Sequence, residues 1–253
     1  MHKQPVRPVL VVVAHGSRDP RHAATVHALV RRVRSLRPGL RVETGFLDFN
    51  IPSVQGVLES LAAEGVRDVV ALPLLLTRAF HAKADIPAVL REAPGRLNIR
   101  QADVLGPSPL LLSALERRLY EAGLTPADKS STGVVLASAG STDPEAIAVI
   151  ADIAREWRHT GWCAVRPAFA SASLPRTEDA VRELRELGCE RVAVAPYVLA
   201  PGFLPDRIAR GAARADVLAD VLGPAPEVAR LLLRRYAEAA ARVPLPGRAP
   251  VSA

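Results

Sequence analysis

Residues 9–20 read VLVVVAHGSRDP, and residues 134–144 read VVLASAGSTDP. Each begins with an apolar run too short for a buried helix, passes through a glycine-containing turn and ends in Asp-Pro. Such Val- and Leu-rich runs read as strands buried on both faces, as in parallel sheets covered by helices. Asp19-Pro20 and Asp143-Pro144 read as helix starts, a cap followed by proline in the first turn. Each phrase is therefore strand–turn–helix, and its recurrence implies one α/β unit written twice. The copies differ at one telling place: His15 in the first stands where the second has Ala139.

The rest of the chain extends the repeat. In the first half the pattern predicts strands near 8–14, 41–47, 67–76 and 99–104. Helices are predicted near 20–37, 53–64, 84–93 and 108–122, with Pro38-Gly39 stopping the first. GVRDVVALPLLL (65–76) returns as GCERVAVAPYVL (188–199), and GFLDFNIP (45–52) as AFASASLP (168–175), both 123 residues on. ADVLGPSP (102–109) returns as ADVLGPAP (219–226), an offset of 117, so the second copy is slightly shorter. A period this long marks duplicated domains, since solenoid repeats run about 20–50 residues. The expected fold is α/β: two tandem, similar four-stranded parallel-sheet domains, 1–124 and 133–245. The polar stretch TPADKSST (125–132) reads as the linker.

Composition narrows the function. The 253 residues are 49% hydrophobic and 23% charged, which describes a globular chain with a sizeable core. Cys163 and Cys189 belong to no CxxC or other metal-like spacing. That argues against a disulfide framework, a structural zinc site and an iron–sulfur cluster, and fits a reducing compartment. MHKQPVRPVL has no signal-like apolar region and no apolar run reaches a membrane span of about 18 residues, so a soluble, cytoplasmic protein is expected. The net charge of +7 raises nucleic acid as a partner. The arginines are scattered over helices, however, and aromatics are 4% of the chain, so no basic block interleaved with aromatics exists. An Arg-rich surface, or a basic cleft for a polyanionic small molecule, accounts for the charge better.

In open parallel sheets ligands bind beyond the carboxyl ends of the strands. The first half places three polar residues there: His15 after the first strand, Asp48 after the second, and His81 in LLTRAFHAKADIP (75–87) after the third. Neighbouring strands lie about 4.8 Å apart, close enough for their end residues to share a small centre. Two imidazoles and a carboxylate suit a first-row divalent ion such as Fe²⁺, Co²⁺ or Ni²⁺. Taken singly, each has a structural reading: a hydrogen-bonded strand-end histidine, a turn aspartate, a loop histidine. The second half carries Ala139, Ser171 and Leu204 at these places. The fold kept without all three makes a joint functional role the better account. His22 and His27 on the first helix, His159 at a helix end and His2 read as surface residues. HGS is not GxSxG, and neither GxGxxG after a strand nor a Walker A is present, so hydrolase and nucleotide-binding readings lack support.

At AHGSRDP, GFLDFNIPSV and LPLLLTRAFHAKADIP the chain resembles the CbiX/SirB family of sirohydrochlorin chelatases, metal-only enzymes, over essentially its whole length and in the two-copy form. The resemblance implies a chelatase fold with a cleft between two similar domains. It also implies insertion of Fe²⁺ or Co²⁺, possible substrates alongside Ni²⁺, into sirohydrochlorin for sirohaem or cobalamin synthesis. By position His15 and His81 would bind the metal and accept pyrrole protons. The family usually has Glu where this chain has Asp48, leaving Asp48 as ligand or proton acceptor. Sirohydrochlorin carries eight carboxylates, for which Ser17, Arg18, Arg78 and Lys83 near the histidine loops are the candidate partners. No organic cofactor is expected. Both halves in one chain allow a monomer. A carrier of metal or tetrapyrrole, without turnover, is the competing reading.

Overall fold

The structure, a computed structural model, describes residues 7–78 and 85–242. Among them eight strands and eight α-helices alternate. The first half runs β1 (Val9–Ala14), α1 (Pro20–Leu36), β2 (Val42–Phe46), α2 (Val54–Ala63), β3 (Asp68–Pro73), α3 (Ile86–Arg91), β4 (Asn98–Gln101) and α4 (Pro109–Glu121). The second runs β5 (Thr132–Ser138), α5 (Pro144–Arg158), β6 (Ala164–Phe169), α6 (Thr177–Glu186), β7 (Arg191–Tyr197), α7 (Phe203–Gly211), β8 (Val217–Leu218) and α8 (Pro226–Ala241). The two copies fold alike at the repeated phrase. Asp19 accepts the Arg21 N–H at 2.9 Å to cap α1, and Asp143 accepts the Glu145 N–H at 3.0 Å to cap α5.

Two four-stranded parallel sheets result, in the orders β2-β1-β3-β4 and β6-β5-β7-β8. In each, the first strand lies between the second and the third, so the chain leaves it in one direction and later returns on its other side. That reversal opens a crevice at the carboxyl end of β1 and, in the second half, of β5. The third strand is shorter than the pattern predicted, ending at Pro73 rather than residue 76. Its partner β1 has already turned away at His15 and Gly16, so Leu74 to Thr77 lose their ladder and line the crevice instead.

Alternation along the strands sorts the core into layers. Val9, Val11 and Val13 face outward beneath α2 and α3, and Val135, Ala137, Val192 and Val194 face α6 and α7. Leu10, Val12 and Ala14 face the other way and join Val134, Leu136, Tyr197 and Tyr236 in one apolar cluster that spans both halves. The last helix of each copy is exchanged: α8 packs on β3, β4, α1 and α4, while α4 packs on β7. Tyr236 of α8 reaches back to donate to the Pro8 carbonyl at 2.7 Å.

Arginines stitch this seam. Arg100 donates to the Ala240 carbonyl at 2.9 Å, Arg118 to Leu222 at 3.0 Å and Arg235 to Val104 at 2.9 Å. Arg117 pairs with Glu227 at 3.1 Å, and Arg242 with Asp103 at 2.8 Å. Part of the positive charge thus serves the joint between the halves. The stretch expected as a linker is also tied down: Lys129 pairs with Glu116 at 2.5 Å and lies over the Trp162 ring, and Thr132, buried, already belongs to β5.

Candidate functional site

The two crevices face each other, and between them lies a cleft of about 350 Å³. One wall carries Ala14, His15, His22 and Leu74 to Thr77; the other carries Ser138 to Ser141, Ala146 and Tyr197 to Ala200. The lining is mainly apolar, with a few polar groups, the ordinary make-up of a small-molecule site.

His15 sits on this wall because Gly16 lets the chain turn sharply after β1. Gly16 has φ 94°, a left-handed conformation that favours glycine, and an added Cβ would lie 1.9 Å from the Asp48 carbonyl oxygen. The turns after β1 and β2 are thereby held in contact: Asp48 N–H donates to the His15 carbonyl at 2.9 Å, and Ser17 N–H to Asn50 Oδ1 at 2.8 Å. The His15 ring, half-buried, has Nδ1 3.3 Å from the Gly16 carbonyl and stacks on Phe49, centroids 6.4 Å apart. Phe49 takes a left-handed φ of 60°, unusual for a bulky residue, and its counterpart Ala172 takes the same angle. Phe49 is a contributor that residue chemistry alone did not single out.

The other expected site residues distribute as follows. Asp48 is exposed beside the His15 turn, its carboxylate accepting the Phe49 N–H at 2.9 Å, and it is not among the cleft-lining residues. Ser17 Oγ accepts the Asp19 N–H at 3.1 Å, and Ser141 does the same for Asp143 at 3.0 Å, so this hydroxyl serves the helix-entry turn in both copies. Arg18 is exposed, its guanidinium 5.2 Å from the Phe49 centroid. Arg78 is exposed and paired with Asp103, which Arg242 also holds; these guanidiniums keep the Asp103 carboxyl below the usual range against the opposing effect of burial. His81 and Lys83 lie outside the described residues. Among the described residues no group of three or more His, Cys, Asp or Glu is placed to hold a metal.

His22 is a correction. It is not a surface residue: it lines the cleft, half-buried, with Nδ1 sealed from solvent and without a hydrogen-bond partner among the described residues. Burial, and then the charge of nearby His15, push its imidazole below the ordinary value, against the pull of Asp19. Helical period carried the signal, because His22 stands four residues before Val26 on the buried stripe that continues through Leu29, Val30 and Val33. His27, by contrast, is exposed, with its ring edge-on to Phe46. Across the cleft, the buried Tyr197 hydroxyl also has no partner among the described residues, and burial raises its pKa.

One ion pair joins the walls. Arg21 at the start of α1 pairs with its own cap Asp19 at 2.6 Å and with Asp206 of α7 at 2.7 Å. No helix among the described residues is long and apolar enough to cross a membrane.

Comparison with known proteins agrees with this architecture. A sirohydrochlorin cobaltochelatase of Priestia megaterium is 31% identical over 79% of this chain, which spans 66% of that protein's length. A sirohydrochlorin ferrochelatase of Bacillus subtilis is 25% identical over 93% of both chains. The solved structure of SirB from Bacillus subtilis with Fe³⁺ superposes with a TM-score of 0.80 at 25% identity, covering 93% of this chain and 96% of that one. The CbiX family model matches residues 9–122 and again 133–239, one match to each copy of the repeat. The chain therefore belongs to the CbiX family, in a form that carries the family's unit twice.

Proposed function

We propose that the protein is a sirohydrochlorin chelatase, inserting Fe²⁺ or Co²⁺ into sirohydrochlorin for sirohaem or cobalamin synthesis. The observation that carries the reading is the one-sided cleft: an imidazole-bearing wall at the end of β1 faces an apolar wall built from the same unit without its histidines. A macrocycle bound between two such walls would meet a metal held on one of them from a single side.

The chemistry asks little more. Insertion replaces two pyrrole N–H protons by one divalent ion, so the site must hold the ion, release it and take up two protons. His15 and His81 hold the metal substrate and, once the ion has passed to the ring, their freed nitrogens accept the displaced protons. Asp48, on the turn hydrogen-bonded to His15, adds a carboxylate as ligand or proton acceptor. An incomplete ligand set lets the ion leave, as a delivery site requires. Phe49 fixes the His15 ring plane by stacking. Arg18, Arg78 and Lys83, with Ser17, are assigned to the substrate carboxylates, and Arg78 exchanges Asp103 for substrate when it does so. Residues 1–124 carry the metal centre and 133–245 supply the opposing wall. With both walls in one chain, a monomer suffices. The free thiols of Cys163 and Cys189 support a cytoplasmic setting.

Turnover separates this reading from that of a carrier. Anaerobic Co²⁺ insertion, followed by absorbance with sirohydrochlorin in large excess over protein, is expected to consume many equivalents. Consumption that stops at one equivalent would leave the carrier.

A further inference from the structure

His22 is the third residue of α1, and its ring shares the cleft wall with His15. A buried ring nitrogen left unpaired loses its hydrogen bonds to water without replacement, so packing alone favours an apolar residue here. The second half has made that choice. The register that pairs His15 with Ala139 pairs His22 with Ala146, and both alanines line the cleft from the opposite wall. The framework around them is the same in both copies: Asp19 and Pro20 match Asp143 and Pro144, and Val26 matches Ile150, both buried. Two imidazoles are thus present together on one wall and absent together from the other, in a fold kept by both.

We propose that His22 is an additional imidazole ligand for the incoming divalent metal, forming with His15 a two-nitrogen holding point inside the cleft. Nδ1 is sealed from solvent, which leaves Nε2 as the nitrogen assigned to the ion. Imidazole nitrogens suit Fe²⁺, Co²⁺ and Ni²⁺ alike, and two of them, with the remaining positions left to water or substrate, hold an ion loosely enough to pass it on. The destination of that ion, the macrocycle, rests on the chelatase reading; the binding itself does not.

The test is an anaerobic Co²⁺ titration of the whole chain, read by the visible absorption of the bound ion, for wild type, His22→Ala and His22→Gln. Ala146 in the matching position indicates that alanine is tolerated, and melting curves verify folding. Both variants are expected to bind Co²⁺ about tenfold more weakly, with glutamine giving no rescue, and the paramagnetically shifted His22 ring protons of wild type are expected to vanish. Unchanged affinity and spectrum in both folded variants would overturn the proposal, as would wild-type Co²⁺ protein without shifted His22 signals. Multiple-turnover insertion on the same samples keeps the two claims apart. His22-dependent Co²⁺ binding without insertion defeats only the chelatase reading, and insertion with unaltered Co²⁺ affinity defeats only this one.

Discussion

Gly16→Ala and Gly140→Ala are the same perturbation applied to the two copies. Gly16 has φ 94° and Gly140 φ 90°; an added methyl would lie 1.9 Å from the Asp48 carbonyl oxygen in one and 2.0 Å from that of Ser171 in the other. Both obstacles are backbone, so the two turns must part by roughly 1.5 Å for an ordinary van der Waals contact to form. Holding alanine in the left-handed region costs about 1–2 kcal/mol. With the displaced turn included, each substitution is expected to cost about 3 kcal/mol. For a chain of this size that is a fall in Tm of about 6–12 °C, equal in the two variants. Catalysis should not be equal. In Gly16→Ala the displacement moves His15 relative to Asp48, and a 1 Å error in such a site costs about 100-fold in kcat. In Gly140→Ala the same displacement falls on Ala139 and Ser171, which carry neither imidazole nor carboxylate, so kcat stays within about threefold while KM rises. Melting curves and initial rates of anaerobic Co²⁺ insertion read both quantities. Equal destabilisation with equal loss of kcat would refute the assignment of the chemistry to the first copy.

Further expectations concern the seam and the thiols. Burial raises the Glu227 pKa, but the hydrogen bonds and charge of Arg117 outweigh it, so the carboxyl titrates below its ordinary value. A depressed carboxylate stabilises the fold above its unfolded pKa, about 4.3, and loses that contribution as pH falls through the folded value. Glu227→Gln should therefore cost about 1 kcal/mol at pH 7 and progressively less below about pH 4 in urea titrations; a penalty that does not change with pH would contradict the role given to Arg117. Cys163 and Cys189 have their sulfurs 3.6 Å apart, and burial, followed by the Cys163 hydrogen bond, pushes the Cys189 thiol up to about 11. Diamide should remove both thiols from an Ellman count slowly and raise stability by about 3–4 kcal/mol through closure of the loop between them; retention of both thiols after prolonged oxidation would show that the pair does not close.

Much of the architecture is legible in the residues because it is set locally. The apolar runs, the Asp-Pro caps and the 123-residue echo dictate two parallel α/β units, and the strand ends locate His15 beside the turn of Asp48. The exchange of α4 and α8 is not legible. The inner faces of both sheets are apolar in the same alternation, so a helix with an apolar stripe fits either, and only the assembled chain decides that Tyr236 reaches Pro8. Phe49 is hidden for a different reason: its backbone angle, shared with Ala172, comes from the turn rather than from its own preference. His22 was open to detection, since it continues the stripe of Val26, Leu29, Val30 and Val33 and meets alanine in the second copy. A histidine at the polar start of a helix resembles a solvated one until the facing wall is in place. His81, which residue chemistry places in the centre, lies outside the described residues.

In the proposed function one imidazole-bearing wall delivers a divalent metal to sirohydrochlorin. The most direct test is the anaerobic rate of Fe²⁺ and Co²⁺ insertion under multiple-turnover conditions by wild type, His15→Ala and His81→Ala. Sustained turnover is expected in wild type, with a loss of at least about 100-fold in each folded variant, the scale expected when a group essential to proton transfer is removed. Full turnover in folded His15→Ala would contradict the proposed function.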